Sequence, residues 1–491
     1  VDWQTFDRRS NALANAFLAA GAEPGDKVAH LMRNSPAYLE TTAASFKARM
    51  AHVNVNFRYT GEELFYIFDN SDAAVIVYDP EFADEIAALT PRLTKVKLFL
   101  QVGDPYEAVA AGDSTPLTVQ RSPDDLMFIY TGGTTGLPKG VMWSLGDLWD
   151  LMGGGATVMG GQRPKSFEEH AANMKQGLGL ERMLVCPPLM HGSGFLMATY
   201  TICRGGSVVT LPGKSFDPEE TLRAIEMHKP SWAVIVGDAF ARPLLRALEA
   251  NPNKYDLSSL RAIISSGTMW SPEVKAGLLK HMPHVMLLDA LGSSESLGLG
   301  IAPMTAQNAG QATKFNHDPN TRVITEDGKD VAPGSGMVGM IARAGILPQG
   351  YYKDPEKTAR LFREIDGKRY SLAGDFATIE ADGTITLLGR GNQCINTGGE
   401  KVFPEEVEEA LKTHPAVEDA LVFGVADEKW GNAVTALVET ATAVDETDLR
   451  NYVRTKLAGY KTPKRIFFTA RIPRGANGKA DYKTAKEMVH S

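Results

Sequence analysis

Apolar residues in the first half of the chain come in short runs separated by amphipathic stretches. Phe6, Leu13, Phe17 and Leu18 recur at helical spacing, and Gly21 supplies the left-handed turn that stops such a helix. Runs 28–32 and 74–78 read as buried strands, as do 183–186, 208–211, 232–236, 262–264 and 285–288. The helical segments Pro218–His228 and 239–249 lie between several of them. This alternation predicts an α/β fold with parallel sheets. Ligands of such sheets sit beyond the carboxyl ends of strands. Tyr130-Thr131, Ser265-Ser266 and 289–295 fall at such ends.

From about Asp375 the pattern changes to hairpin-like strands, 376–380 and 384–388, joined by Ala381-Asp382-Gly383. The polar stretch Gly391-Asn392-Gln393 reads as a hinge. Beyond it Pro404, Glu405 and Glu406 open a helix, with proline and acids in its first turn. Val407, Ala410 and Leu411 form its buried face, and 420–425 and 434–438 read as strands. The expected architecture is a large multi-sheet N-terminal domain, 1–390, and a small α+β C-terminal domain, 391–491. No internal repeat or low-complexity tract is evident.

A chain of 491 residues can bury a large core in more than one domain. Its net charge of −8 provides no basic footprint for nucleic acid. Cys186, Cys203 and Cys394 are odd in number and far apart, so neither a disulfide framework nor a metal-ligand spacing is expected, and a reducing cytoplasm is. No apolar stretch is long enough to span a bilayer. The start, Val1-Asp2-Trp3-Gln4, does not read as a signal peptide. It lacks a Met, so the numbering is expected to begin inside a longer chain whose first segment could carry a targeting signal.

The densest chemistry lies at 130–140, where Tyr130 leads into Thr131, Gly132, Gly133, Thr134, Thr135 and Gly136, followed by Leu137-Pro138-Lys139-Gly140. Glycines bring backbone N–H groups against a ligand, threonines add hydroxyl donors, and Lys139 adds a charge. Such a set suits a triphosphate. Pro138 and Gly140 flank Lys139, which excludes the ordinary phosphate loop. No Gly-x-Gly-x-x-Gly opens a helix here, which excludes the dinucleotide fingerprint. The segment resembles the Thr/Ser/Gly-rich loop of adenylate-forming enzymes, the acyl-CoA synthetase, luciferase and adenylation-domain superfamily, with Gly132 where the usual form has Ser.

Further segments follow the same superfamily in order, and the resemblance covers about residues 5–485. Asp289, Ala290, Leu291, Gly292, Ser293, Ser294 and Glu295 resemble its Tyr-Gly-x-Thr-Glu region. This implies nucleotide contacts from Asp289, Ala290, Leu291, Gly292 and Ser294, and magnesium held by Glu295 with Thr131. Leu291 replaces the aromatic that stacks on adenine, so the stacking increment is lost. Asp375, preceded by Ala373-Gly374, and Arg390, preceded by Gly389, resemble the ribose-binding segments. Pro473 to Lys479 resembles the loop carrying the catalytic lysine, which makes Lys479 that lysine and the small domain mobile. Gly398, Gly399, Glu400 and Lys401 correspond to the loop lining the CoA channel. Asn392 stands at the hinge, where the family has Asp or Lys.

The resemblance also places an acyl pocket at His191, Gly192, Gly194, Gly237, Ser266, Gly267 and Trp270, with Ser265 beside the nucleotide. His191 is then a gate at the reacting centre. Ile264, Met269 and Trp270 make this wall apolar, and these segments hold no Lys or Arg for a second carboxylate. The residues 265–270 look most like the fatty-acyl and sterol-side-chain branch. The resemblance therefore implies an ATP-dependent, AMP-forming carboxylic acid:CoA ligase acting on a hydrophobic medium- or long-chain, branched or sterol side-chain acid. Its implied cofactors are ATP, Mg²⁺ and coenzyme A, and a homodimer is compatible with it. Two alternatives stand beside it: an adenylating enzyme that loads a carrier protein, and a non-catalytic acyl- or nucleotide-binding homologue. Only twelve residues follow Lys479, so no fused carrier domain is expected. Glu295, Asp375, Arg390 and Lys479 together weigh against the non-catalytic alternative.

Overall fold

Asp2 accepts a hydrogen bond from the Thr5 N–H and starts the first helix, Trp3–Ala19. The apolar runs beyond it become two sheets. In this computed structural model the described residues are 1–490, apart from 134–135, 155–161, 178–180, 269, 398–399, 428–430, 458 and 476–477. The first sheet takes β1 (Lys27–Leu31), β2 (Ala51–Asn54), β3 (Ala73–Tyr78), β4 (Leu98–Gln101), β5 (Leu126–Gly133) and β6 (Gly136–Ser144). The second takes β7 (Arg182–Val185), β8 (Ser207–Thr210), β9 (Trp232–Ile235), β10 (Ala262–Ser266), β11 (Met286–Ser293) and β12 (Ser296–Met304).

Both sheets are parallel in their body and antiparallel at one end. The second runs β12-β11-β10-β9-β7-β8, with β11 and β12 antiparallel. The first runs β6-β5-β2-β1-β3-β4 in the same manner, with β5 and β6 antiparallel. The sequence pattern predicted parallel sheets alone. A parallel partner needs a crossover of a dozen or more residues, and the turns after Gly133 and Ser293 are too short to supply one. Gly133 and Gly136 therefore pair across the end of one hairpin, and Ser293 and Ser296 across the end of a second, whose tip is Ser294-Glu295.

Alternate strand residues face opposite sides, and both sides are covered. Val234, Ile264 and Leu288 belong to the core between the two sheets, together with Val28, Met127 and Trp143 of the first. Ile235, Ile263 and Leu287 belong to the core on the outer face, with Phe240, Trp270 and Leu278. Burial on both faces explains why these strands read as continuous apolar runs.

A third sheet comes next, built from β13 (Thr321–Ile324), β14 (Gly339–Arg343), β16 (Phe362–Ile365), β17 (Lys368–Ser371), β18 (Asp375–Ile379) and β19 (Ile385–Arg390). The short β15 (Gly350–Tyr351) instead extends the first sheet beside β6. The small domain carries a fourth sheet of β20 (Ile395–Thr397), β21 (Glu400–Val402), β22 (Val417–Asp427), β23 (Gly431–Thr440) and β24 (Arg465–Thr469). Its helix Pro404–Lys412 buries Val407 and Leu411 against Ala420 and Val422. Between the third and fourth sheets the chain makes a single 3₁₀ turn, Gly391–Gln393. Gly389 has φ +127°, and a Cβ there would lie 2.1 Å from the Glu405 carboxylate, so only glycine lets the small-domain helix come this close.

Candidate active site

The two hairpins border a cavity of about 570 Å³ beyond the carboxyl ends of β5, β9, β10 and β11. Thr131 lines it from the first sheet. Ser266 and Gly267 line it from the end of β10, and Ala290, Leu291, Gly292 and Ser294 from the second hairpin. His191 and Gly192 border it at the start of the Gly192–Cys203 helix. Lys479 enters from the small domain. A Cβ on Gly267, whose φ is +95°, would sit 3.6 Å from the Lys479 Cε.

Three side chains not singled out from the sequence hold these pieces together. Trp143 is fully buried in β6, and its Nε1 donates to the Ser294 carbonyl at 2.9 Å. The Tyr351 hydroxyl donates to Glu295 Oε1 at 2.6 Å. Each bond joins an element of the first sheet to the second hairpin. Asn54, at the end of β2, donates to the carbonyls of Tyr130 at 3.0 Å and Met190 at 2.7 Å. Its Oδ1 accepts from the Tyr130 N–H at 2.7 Å. One buried amide thus satisfies three backbone groups and fixes both the approach to Thr131 and the loop bearing His191. A polar residue closing a short buried strand was the available signal for Asn54.

The Lys479 loop is held from within the small domain. Arg474 bonds Asp419 through Nε and Nη2, each at 2.9 Å, and its Nη1 donates to the Gly478 carbonyl at 3.1 Å. The Gly475 N–H donates to the Lys479 carbonyl at 2.8 Å.

Several residues expected at the site stand away from the cavity wall. Ser266 and Ala290 face the cavity, so their strand neighbours Ser265 and Asp289 point away. Ser265 Oγ accepts from the Gly237 N–H at 2.8 Å. Asp289 is buried and pairs with Lys275 at 3.0 Å. Burial pushes its carboxyl up to about 6, with Lys275 pulling the other way. Trp270 lies in the outer core and does not line the cavity, because the chain has turned at Gly267. Gly194 packs on the backbone of Pro187 and Pro188, and Gly237 opens the Gly237–Ala250 helix. Lys139 pairs with Asp354 at 3.3 Å. Asp375 is buried at the start of β18, opposite Arg390 in register.

Thr134, Thr135, Met269, Gly398 and Gly399 lie outside the described residues. So do the side chains of Arg390, Asn392, Glu400 and Lys401, and only the backbone is described at Gly132, Gly133 and Gly136. In place of Trp270, the apolar wall is made by Met152, Met190, Met197, Val234 and Ile264.

His191 Nε2 finds no hydrogen-bond partner among the described residues. Burial, with Lys479 and Arg58 adding to it, holds the imidazole down at about 3. The ring is therefore neutral at physiological pH, able to accept a hydrogen bond but a poor proton acceptor. The His191 ring resonances are expected not to titrate between about pH 5 and 8. A midpoint near the ordinary 6.5, read by NMR against the His191→Ala spectrum, contradicts this environment.

With this geometry in place, residues 1–352 match the model of the AMP-binding enzyme family, and residues 406–479 match the AMP-binding enzyme C-terminal domain. The chain belongs to the AMP-binding enzyme family. A 3-oxocholest-4-en-26-oate–CoA ligase from Rhodococcus rhodochrous is 42% identical over 510 residues, covering 100% of this chain and 91% of the relative. A medium/long-chain-fatty-acid–CoA/3-oxocholest-4-en-26-oate–CoA ligase from Mycobacterium tuberculosis is 39% identical, covering 100% and 92%. The crystal structure of ATP-bound MatB from Rhodopseudomonas palustris superposes with a TM-score of 0.81 at 26% identity, covering 98% of this chain and 92% of that one. This AMP-binding protein is an acyl-CoA ligase of the AMP-forming kind, with a carboxylic acid, ATP and CoA as substrates. Among the described residues no helix is long and apolar enough to cross a membrane.

Proposed function

We propose that the acid is a large hydrophobic monocarboxylate, a medium- or long-chain fatty acid or a sterol side-chain acid, activated as its acyl adenylate. The observation that carries this reading is the cavity wall. Met152, Met190, Met197, Val234 and Ile264 line its apolar part, and methionines adapt to irregular apolar shapes. Lys479 is the one lysine or arginine on the wall among the described residues, and one ammonium suits one carboxylate. The names of the relatives from Rhodococcus rhodochrous and Mycobacterium tuberculosis point to the same class of acid.

In this reading the first hairpin, Thr131 to Gly136, cradles the triphosphate with backbone N–H groups. Leu291 covers the purine, and Asp375 and Arg390 hold the ribose. The acid's carboxylate attacks the α-phosphorus, Lys479 stabilises the charge that builds there, and pyrophosphate leaves. His191 and Gly192 border the bound carboxyl. The small domain, taken to begin at Gly391, then pivots about Asn392. Lys479 withdraws, residues 398–401 reach the site, the CoA thiol attacks the acyl carbonyl, and AMP leaves. The close approach of Glu405 to Gly389 and the single turn at Gly391–Gln393 support a pivot at this point.

Among the described residues, no group of three or more His, Cys, Asp or Glu could cage a metal by itself. A magnesium ion commonly takes one carboxylate and completes its shell with phosphate oxygens and water. Glu295, oriented by Tyr351, and the Thr131 hydroxyl are hard oxygen donors on the two hairpins and fit that requirement. Bound there, the ion would supply charge neutralisation on the phosphates. Three free cysteines support a reducing, cytoplasmic setting. A homodimer rests on the family resemblance and is read by sedimentation.

A panel of acids assayed for CoA-dependent AMP release tests the substrate. Medium- and long-chain fatty acids and 3-oxocholest-4-en-26-oate are expected to be turned over, and dicarboxylic acids poorly. Preference for a dicarboxylate overturns the reading. Met197→Trp narrows the apolar wall. It is expected to lower kcat/KM for the sterol acid about 10–200-fold while short fatty acids change far less. Equal loss for every acid would remove Met197 from the acyl channel.

A further inference from the structure

The Gly237–Ala250 helix begins directly behind the cavity wall and carries Asp238, Arg242 and Arg246 at intervals of four residues. Such spacing puts them on one face, and that face meets the small domain. The Lys412 ammonium, at the end of the Pro404–Lys412 helix, lies 3.8 Å from Asp238 Oδ2. Arg246 Nη2 lies 2.5 Å from Glu418 Oε2, at the start of β22. Between these pairs the lysine loop comes down on the same helix. A Cβ on Gly478, the residue before Lys479, would lie 2.7 Å from the Ala239 Cβ and 3.3 Å from a Phe240 ring carbon. One helix therefore bears two ion pairs between the domains and the seat of the Lys479 loop.

We propose that the Asp238–Lys412 and Arg246–Glu418 pairs are a positioning latch that holds the small domain with Lys479 in the cavity and sets the rate of adenylation without touching substrate. The proposal rests on the adenylation role of Lys479. The charges are arranged for release as well as for hold. Asp238 is also bonded by the Ser271 N–H at 2.9 Å, by the Ser271 hydroxyl, and by Arg242 at 3.2 Å. Lys412 is also paired with Glu409 on its own helix. When the domain leaves, Asp238 and Lys412 each keep a partner, and Arg246, already half-exposed, passes to water, so opening avoids the large cost of orphaning a buried ion.

Burial works against both charges, but their partners outweigh it. The Asp238 carboxyl stays below its ordinary range because of Lys412, Arg242 and Ser271, and Lys412 stays above its own because of Glu409 and Asp238. A second cavity, of about 910 Å³, opens along the same seam and is bordered by Arg242, Arg246, Glu418 and Asp419. Beside the seat of Gly478 on Ala239 and Phe240, ionic contacts thus hold this side of the domain. The half-exposed Arg246–Glu418 pair is open to salt and to single charge reversals, whereas the buried Asp238–Lys412 pair is screened far less.

The test uses the whole chain with Glu418→Arg, Arg246→Glu and the double exchange. Each single reversal is expected to lower acid-dependent ATP–pyrophosphate exchange about 10-fold, because two like charges then meet in the docked state. The reaction of supplied acyl adenylate with CoA is expected to stay within about twofold, and the double exchange to restore most of the loss. In parallel, hydrogen exchange is read on the amides of the Gly237–Ala250 helix. Their protection is expected to fall in the single variants and return in the double. If the unmodified protein shows no exchange with any acid, the functional reading fails, and the hydrogen-exchange series still decides the latch. Full protection in the single variants, equal loss of both half-reactions, or no restoration in the double overturns it.

Discussion

Replacing Lys479 with Ala is expected to slow acyl-adenylate formation by about 10²–10³-fold, the loss typical of removing one preorganised donor from a developing anion. The same variant is expected to convert supplied adenylate and CoA to thioester at close to the unmodified rate. The asymmetry follows from where the lysine sits. It reaches the cavity only from the small domain, through a loop held by Arg474 and seated on Ala239 and Phe240. In the proposed cycle the pivot withdraws it before the second half-reaction, so its removal is expected to cost that step little. Quenched-flow measurement of adenylate and of thioester separates the two. Equal damage to both halves contradicts a lysine that acts in one domain position only.

The second large effect is on stability. Lys275 is 1% exposed, and its ammonium is paired with Asp289 at 3.0 Å and bonded to the Thr313 hydroxyl at 2.6 Å. Lys275→Met removes the cation and leaves a carboxylate buried beneath the second hairpin. Breaking a buried pair in this way typically costs about 3–5 kcal/mol. Urea unfolding of the Lys275→Met variant is expected to show that loss, and adding Asp289→Asn is expected to recover most of it. The same double variant asks whether Asp289 touches nucleotide. Its carboxylate faces Lys275 and does not line the cavity, so the KM for ATP is expected to stay close to that of the unmodified protein. A stable double variant with a greatly raised KM for ATP would restore Asp289 to the nucleotide site.

The sequence carried those parts of the fold that local chemistry fixes. The helix Pro218–His228 has Pro, Glu219 and Glu220 in its first turn and an Asp217 cap, and it forms over those residues. Strands such as Trp232–Ile235 and Ala262–Ser266 are apolar on both faces and are visible as runs. By contrast, β12 contains Gly298 and Gly300, which lower strand propensity, and it forms because its pairing with β11 compensates. The strands between Thr321 and Ser371 are mostly four or five residues long, too short for a period to emerge.

At the site, the cavity receives Thr131, His191, Gly192, Ser266, Gly267, Leu291, Gly292, Ser294 and Lys479, all named from motifs. Side-chain direction was less legible. Ser265 and Asp289 lie one residue from cavity-lining neighbours, and a strand reverses direction at each step. The braces were not legible at all. Trp143 and Ser294 are 151 residues apart, and no local pattern announces their bond. The latch residues Asp238 and Arg246, with Arg242 between them, recur at helical spacing, but that spacing alone does not say which surface they meet.

The most direct test of acid activation in this cavity is isotope exchange between pyrophosphate and ATP, measured without CoA. Exchange that depends on a long-chain fatty acid or 3-oxocholest-4-en-26-oate, and that collapses in Lys479→Ala, is the expected result. No exchange with any acid from well-folded protein, or exchange that persists undiminished without Lys479, contradicts it.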